Sequence, residues 1–334
     1  MADSNPTLVF PAERTVELQD RERPDPADDE VLIETDTTMV STGTEITVLS
    51  GDYPPESFWD DYGEYPFVTG YTNVGTVVEA GADAELDEGT RVASWTPHAA
   101  SVTAAADECI PVPDDVSDAE AVPFAIAQIV ANGLRRGRVD WGETVVVYGL
   151  GILGQLAVRL AHLAGVERVI GVDRSENRLS YLPSEPGITG VDAVDTDPAE
   201  AVADLTDGAM ADVVVEVTGN PDAIPDEFDV LRDQGRMVLL SSPHGETTLD
   251  FHDYVNAPSY EIIGAHQTSH PEYATPADPW TKERHADLFF TYQRQGRLDV
   301  DPLYSHVRDY EDAPELYREL LEDRTRAMGV RLEW

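Results

Sequence analysis

The chain has 334 residues, enough for two domains with substantial cores. Its 65 acidic residues face 22 basic ones, Lys282 being the only lysine, and a formal charge of −43 excludes nucleic acid and anionic membrane surfaces as partners. The single cysteine, Cys109, excludes an intrachain disulfide and a cysteine-based zinc cluster.

The acids are spread along the whole chain, so they read as a solvated surface rather than a local binding patch. Self-repulsion on this scale becomes tolerable where the screening length is short, about 3 Å at 1 M salt, which suits a halophilic cytoplasm. No charged start precedes an apolar stretch, and no run approaches eighteen apolar residues, so a soluble cytoplasmic protein is expected.

Residues 1–124 carry short β-rich runs at Val31–Glu34, Val74–Val78 and Arg91–Ser94, punctuated by glycine, and predict an irregular, mostly antiparallel β-domain. Asp52–Pro66, with three prolines and several aromatics, reads as a surface loop; Tyr53, Phe58, Trp59 and Tyr65 are candidates to line an apolar pocket there. Four acids interspersed among those aromatics favour a neutral small-molecule substrate. Ser117 and Glu120 form a capping-box pattern ahead of a helix over Ala119–Leu134.

The most informative stretch is Glu143–Asp173. Val145–Tyr148 is β-branched or aromatic without alternation, as in a parallel strand buried on both faces. Gly149, Gly151 and Gly154 follow at G-x-G-x-x-G spacing, and apolar residues from Ile152 to Ala164 recur at helical spacing up to a stop at Gly165. Val169–Val172 forms a second strand ending in Asp173. Strand, glycine turn, helix and acid-tipped strand together make a dinucleotide-binding unit. In it, Gly149 permits the turn, Gly151 lets a pyrophosphate approach, and Gly154 brings helix and strand together, while the helix start at Ile152 and Leu153 offers free N–H groups. Asp173 would accept the adenosine ribose hydroxyls and so favours NAD over NADP, an effect that the neighbouring Arg174 partly offsets.

Beyond Asp173 the α/β alternation continues: strands at Asp192–Val194, Asp212–Val217, Arg236–Leu240 and Glu261–Ala265, helices at Pro198–Leu205 and Ala223–Arg232. Ligands bind outside the carboxyl ends of such strands, which makes Thr218, Ser241 and Ser242 candidate cofactor neighbours. An irregular passage, a helix over Lys282–Gln295, another over Glu311–Asp323 and a strand over Gly329–Trp334 exceed what one such sheet needs. The expected division is therefore 1–124, 125–265 for the nucleotide-binding domain, and 266–334 returning to the first domain.

This order of parts resembles the medium-chain dehydrogenase/reductase superfamily over nearly the whole chain. The motifs that carry the resemblance are S-T-G-T-E at Ser41–Glu45, G-Y-T-N-V-G-T-V at Gly70–Val77, G-x-R-V around Arg91, the G-L-G-I-L-G turn, and A-P-E-L-Y-R-E-L at Ala313–Leu320. It is most similar to the branch of hydroxyethyl bacteriochlorophyllide dehydrogenases and related alcohol dehydrogenases. The resemblance implies a doubly wound parallel Rossmann sheet plus a GroES-like, mostly antiparallel β catalytic domain, and a homodimer or homotetramer.

Zinc-dependent members bind their catalytic metal through the cysteine of C-G-T-D and the histidine of G-H-E. Here those places fall on Thr42 and Tyr71, and the run Val122–Leu134 supplies no cysteine or acid, so no zinc is expected. A zinc-free site needs another proton donor for the carbonyl oxygen. Tyr71 carries a suitable phenol, Thr44 corresponds to the hydroxyl that relays protons in zinc enzymes, and His98, His266 and His270 are further acid/base candidates. The expected activity is a zinc-independent, NAD(P)-dependent interconversion of a secondary alcohol and a ketone. Reduction of an activated double bond, or non-catalytic NAD(H) binding, are the alternatives.

Overall fold

A computed structural model describes residues 4–334. It divides into two compact units: the chain up to Ala125 together with Ala286–Trp334, and Ile126–His285.

The second unit is built on six parallel strands. Their spatial order is Ile188–Asp192, Arg168–Asp173, Thr144–Tyr148, Ala211–Glu216, Leu231–Leu239 and Glu261–Gly264, so the strand order reverses beside Thr144–Tyr148. That reversal opens the carboxyl edge of a doubly wound sheet to a ligand. Val145, Val146 and Val147 are fully buried, which is why the run lacks alternation. The helix Ile152–Ala164 follows and ends at Gly165, whose φ of 92° is left-handed.

The first unit centres on the long strand Glu30–Val40. It pairs antiparallel with Asn73–Ala80, Ser101–Ala105 and the C-terminal Gly329–Glu333. Tyr304–Asp309 adds a parallel edge, and a separate three-stranded sheet joins Thr15–Glu22, Ser4–Ala12 and Phe67–Val68. Both stretches of chain fill one core: Leu8, Phe10, Val40 and Val48 pack with Leu316, Tyr317, Leu320 and Leu332.

Several elements differ from the sequence reading, each for a local reason. The expected boundary at 265 lies instead at His285, because the passage after the last strand is tied back to the second unit's helix: Asn132 Nδ2 donates to Ser269 Oγ (2.8 Å), Gln128 Nε2 to the Lys282 carbonyl (2.8 Å), and the Arg135 guanidinium lies 3.1 Å above the Trp280 ring. The single helix expected over Ala119–Leu134 is split into Asp118–Ala121 and Phe124–Arg136, since Pro123 cannot donate into a helix ladder. The Ser117–Glu120 capping box forms.

Asp52–Pro66 is not merely a loop. It holds the short helix Phe58–Tyr62, capped by Ser57 accepting from the Asp60 N–H. Trp59 is buried in the first unit's core with Tyr53 and Tyr65 packed against it, leaving Phe58 the one exposed member of the expected pocket lining. The helix expected over Ala223–Arg232 shrinks to Ile224–Glu227 and a 3₁₀ turn at Phe228–Val230, because the strand already begins at Leu231.

Candidate active site

The glycine turn of the second unit shows its spacing in geometry. Gly149 has φ 91°, and a side chain there would meet the Thr218 N–H and Val217 backbone at 3.0 Å. A Cβ on Gly154 would come within 1.9 Å of the Gly149 carbonyl, so helix and strand pack at a distance only glycine allows. Gly151 differs: its Cβ would point into open space, with nothing within 4 Å. That space lies at the start of the helix Ile152–Ala164, where Gly151 is the N-cap without a side-chain partner. The free N–H groups and positive dipole end there suit a pyrophosphate. Ile152 is buried beneath the turn, and Leu153 is half-buried.

Asp173 ends its strand beside this turn. Its Oδ2 accepts from the Leu150 N–H (2.7 Å) and its Oδ1 from the Ser175 N–H (2.8 Å), so the carboxylate is fixed against the glycine loop. Arg174 is exposed, whereas Arg178, one helical turn on and missed in the sequence, lies 3.7 Å from Asp173. Thr218 and Ser241 share a partner that sequence reading also missed. Glu216 is fully buried at the end of its strand; its Oε1 accepts from the Thr218 N–H (2.6 Å), the Thr218 hydroxyl (2.7 Å) and the Gly219 N–H (2.9 Å), and its Oε2 accepts from the Ser241 hydroxyl. Glu216 thus ties together the loops after two neighbouring strands. Ser242 is exposed, and so is His266, whose Nδ1 meets the Thr268 hydroxyl at 2.8 Å.

The first unit gathers Tyr71, Thr44 and His98. The Tyr71 hydroxyl donates to Ser41 Oγ (2.7 Å) and also bonds the Thr44 side chain, while its ring stacks on Trp95 at 5.4 Å and 17°. Burial pushes the phenol up to about 12; the Ser41 bond works against that rise and the charge of nearby Glu45 adds to it. At neutral pH Tyr71 is a proton donor. Thr44 opens the helix Thr44–Ser50.

Behind these hydroxyls sits Glu45, fully buried. Its Oε1 accepts from the Ser41 N–H (2.6 Å), and its Oε2 from Thr69 Oγ1 (2.7 Å), His98 Nε2 (3.1 Å) and the Tyr317 hydroxyl. Burial alone would raise this carboxyl, but the charge and hydrogen bond of His98, with those of Tyr317 and Thr69, bring it below its ordinary value. Taking a carboxylate out of water costs several kcal/mol unless donors replace the water, and here four do. His98 itself, one of the acid/base candidates, is 0 % exposed, and its Nε2 is committed to Glu45, a carboxylate of the same unit. Thr42, at the other place where zinc enzymes carry a ligand, is half-buried. Among the described residues, no group of three His, Cys, Asp or Glu side chains could hold a metal ion. Cys109 packs with Val31, Ile33 and Val77, its thiol pushed up to about 12 by burial and then by Glu108 and Asp107.

A reversing parallel sheet with a glycine cradle, followed in the chain by a return to an antiparallel β-unit, is the architecture that the sequence led us to expect of a nicotinamide-dependent oxidoreductase. Comparison with known proteins agrees. Residues 153–283 match the zinc-binding dehydrogenase family. The chain is 27% identical over 274 residues, 79% of its own length and 77% of the relative's, to D-guloside 3-dehydrogenase of Escherichia coli K12. Among solved structures, galactitol-1-phosphate dehydrogenase of Escherichia coli has the same fold, with a TM-score of 0.83 and 14% identity over 98% of this chain and all of that one. So does a Sinorhizobium meliloti protein described as a zinc-binding dehydrogenase and bound to NADP, with a TM-score of 0.82 and 19% identity over 99% of this chain and all of that one. Part of the chain thus matches a dehydrogenase family and most of it is similar to a named dehydrogenase, and the protein is an NAD(P)-dependent oxidoreductase.

Proposed function

We propose that this enzyme interconverts a secondary alcohol and a ketone without zinc, with Tyr71 as the proton donor. The observation that carries the reading is the Tyr71 phenol, protonated at neutral pH and hydrogen-bonded to Ser41 at 2.7 Å; the sequence resemblance puts this residue where zinc enzymes carry a histidine ligand. The donor set around it does not suit zinc: Thr42 and Tyr71 are poor ligands, and Glu45 is already saturated by four donors. A bound nicotinamide supplies or takes up the hydride. In the reducing direction the new alkoxide takes the proton of the Tyr71 hydroxyl, and the Ser41 and Thr44 hydroxyls are placed to return one to it. The curated relative is named for oxidation of a sugar derivative, which supports a neutral, hydroxyl-bearing substrate.

The test is metal content against turnover. Elemental analysis should find no stoichiometric zinc, chelator should leave turnover intact, and Tyr71→Phe should lower the rate about 10²-fold, the scale of a lost general acid. One zinc per chain whose removal stops the reaction would sink this reading. Assays across alcohols, ketones and enones separate it from double-bond reduction.

We further propose that NAD is preferred over NADP, because the Asp173 carboxylate is fixed beside the glycine loop and repels a 2′-phosphate. Asp173→Ala should narrow or reverse the preference. Calorimetry showing tighter NADP(H) binding to the unsubstituted protein would contradict the assignment.

A further inference from the structure

We propose that Glu45 is the positioning residue of the catalytic unit, aligning Tyr71 from both ends; the proposal rests on the reading of Tyr71 as proton donor. At the hydroxyl end, Glu45 Oε1 takes the Ser41 N–H at 2.6 Å, and the same serine's Oγ receives the Tyr71 hydroxyl at 2.7 Å. At the backbone end, Glu45 Oε2 holds the Thr69 hydroxyl (2.7 Å), two residues before Tyr71. It also holds His98, whose backbone N–H donates to the Thr69 carbonyl at 2.9 Å.

The residue between, Gly70, shows how tightly that turn is gripped. It has φ 96°, and a Cβ on it would lie 2.6 Å from the His98 ring. The imidazole therefore rests on the backbone immediately ahead of Tyr71. His98 Nδ1 is buried with no hydrogen-bond partner, so the ring's polar contact is made through the nitrogen that faces Glu45. Tyr317 closes the arrangement from the C-terminal helix Ala313–Glu322. One carboxylate thereby joins the Ser41 turn, the Thr69–Tyr71 turn, the His98 segment and that helix. In this reading the buried carboxylate, not a metal, brings these segments to one point. Displacing a catalytic group by about 1 Å can cost on the order of 10²-fold in rate, so an anchor linked to the phenol by two hydrogen bonds through Ser41 matters to turnover.

The experiment is a double-mutant cycle on the full chain. Glu45→Gln keeps the shape but replaces one acceptor oxygen with an N–H₂, so either the Ser41 N–H or the group of Thr69, His98 and Tyr317 loses the acceptor it now uses. It should lower kcat roughly 10²-fold, with KM for the ketone and the dissociation constant for NAD(H) close to those of the parent. In a Tyr71→Phe background the same change should cost less than about threefold, because the group it positions is already gone. A loss of equal size in both backgrounds, or a folded Glu45→Gln enzyme with unchanged kcat, overturns the proposal. Should Glu45→Gln not fold, Tyr317→Phe removes one donor and leaves the carboxylate. Its smaller loss of kcat should likewise vanish in the Tyr71→Phe background, and persistence there overturns the proposal. A silent Tyr71→Phe is a different failure: it removes the acid assignment itself, and the alignment proposal with it.

Discussion

Gly151 separates what the glycine turn does for the fold from what it does for a ligand. Gly149 and Gly154 are required by the chain's own backbone, one by its positive φ and the other by a carbonyl 1.9 Å from its Cβ position. Gly151 meets nothing within 4 Å, so the protein itself has no steric need for glycine there. Gly151→Val should therefore fold with near-normal stability yet lose NAD(H) affinity by at least about 10²-fold, since the isopropyl group would fill the approach to the helix N-terminus. Circular dichroism and calorimetry together decide this, and unaltered affinity in a folded variant would mean that the turn is not the cofactor site. These glycines were legible because the turn they form is local: Gly149 is set by its own positive φ and Gly154 by the carbonyl of Gly149. Glu45, although it ends the S-T-G-T-E motif, and Glu216 were not, because what makes them important is burial against distant partners: Glu45 and Tyr317 are 272 positions apart, a separation that no local pattern spans.

At the scale of elements, the central parallel strands were readable because burial on both faces leaves continuous apolar runs, whereas the edge strand expected at Asp192–Val194 lies at Ile188–Asp192, where exposed Thr189 and Gly190 break such a run; the helix Pro198–Leu205 was readable because Asp197 caps it and proline opens it. Where readings slipped, a feature acting across elements decided the outcome, as with the tie of Ser269, Trp280 and Lys282 to the helix Phe124–Arg136. The short helix Ile224–Glu227 carries another such feature. Glu227 is 0 % exposed with neither carboxyl oxygen hydrogen-bonded, and burial, then the charges of Glu216 and Asp226, push its carboxyl up to about 9. The folded protein thus keeps a proton that the unfolded chain, titrating near the ordinary value of 4.5, releases. Between those values the native state binds more protons than the unfolded state, so this group's contribution to stability falls as pH rises from about 4.5 to about 9. Glu227→Gln, neutral throughout, should stabilise the protein by at least about 1 kcal/mol at neutral pH, with the gain growing toward pH 9 and absent near pH 4. Melting curves of both proteins across that range test the sign; a destabilised variant whose deficit is independent of pH would contradict it.

Taken as a whole molecule, the chain has a charge problem that no individual contact solves. With 65 acids against 22 bases, at least 43 carboxylates have no basic residue to pair with even if every lysine and arginine were used. Many of the ion pairs that do form are at the surface, such as Arg138–Glu261 and Arg294–Asp115, with both side chains more than half exposed, and pairs of this kind contribute little each. The net repulsion must therefore be relieved by the solvent. Its range shrinks from about 10 Å at 0.1 M salt to about 3 Å at 1 M, less than the spacing between typical surface carboxylates. We accordingly expect the melting temperature to rise by at least about 3 °C between 0.1 and 1 M KCl, the scale that a gain of about two kcal/mol produces in a protein of this size. Sucrose at equal osmolality should give a smaller rise, because it strengthens burial without screening charge. Partial neutralisation of the carboxylates should substitute for salt, so the same salt step should matter less at pH 5 than at pH 8. A melting temperature that is flat in KCl, or that climbs equally in sucrose and at both pH values, would show that the acidic surface is not what limits the folded state, and the high-salt reading of the composition would fail with it.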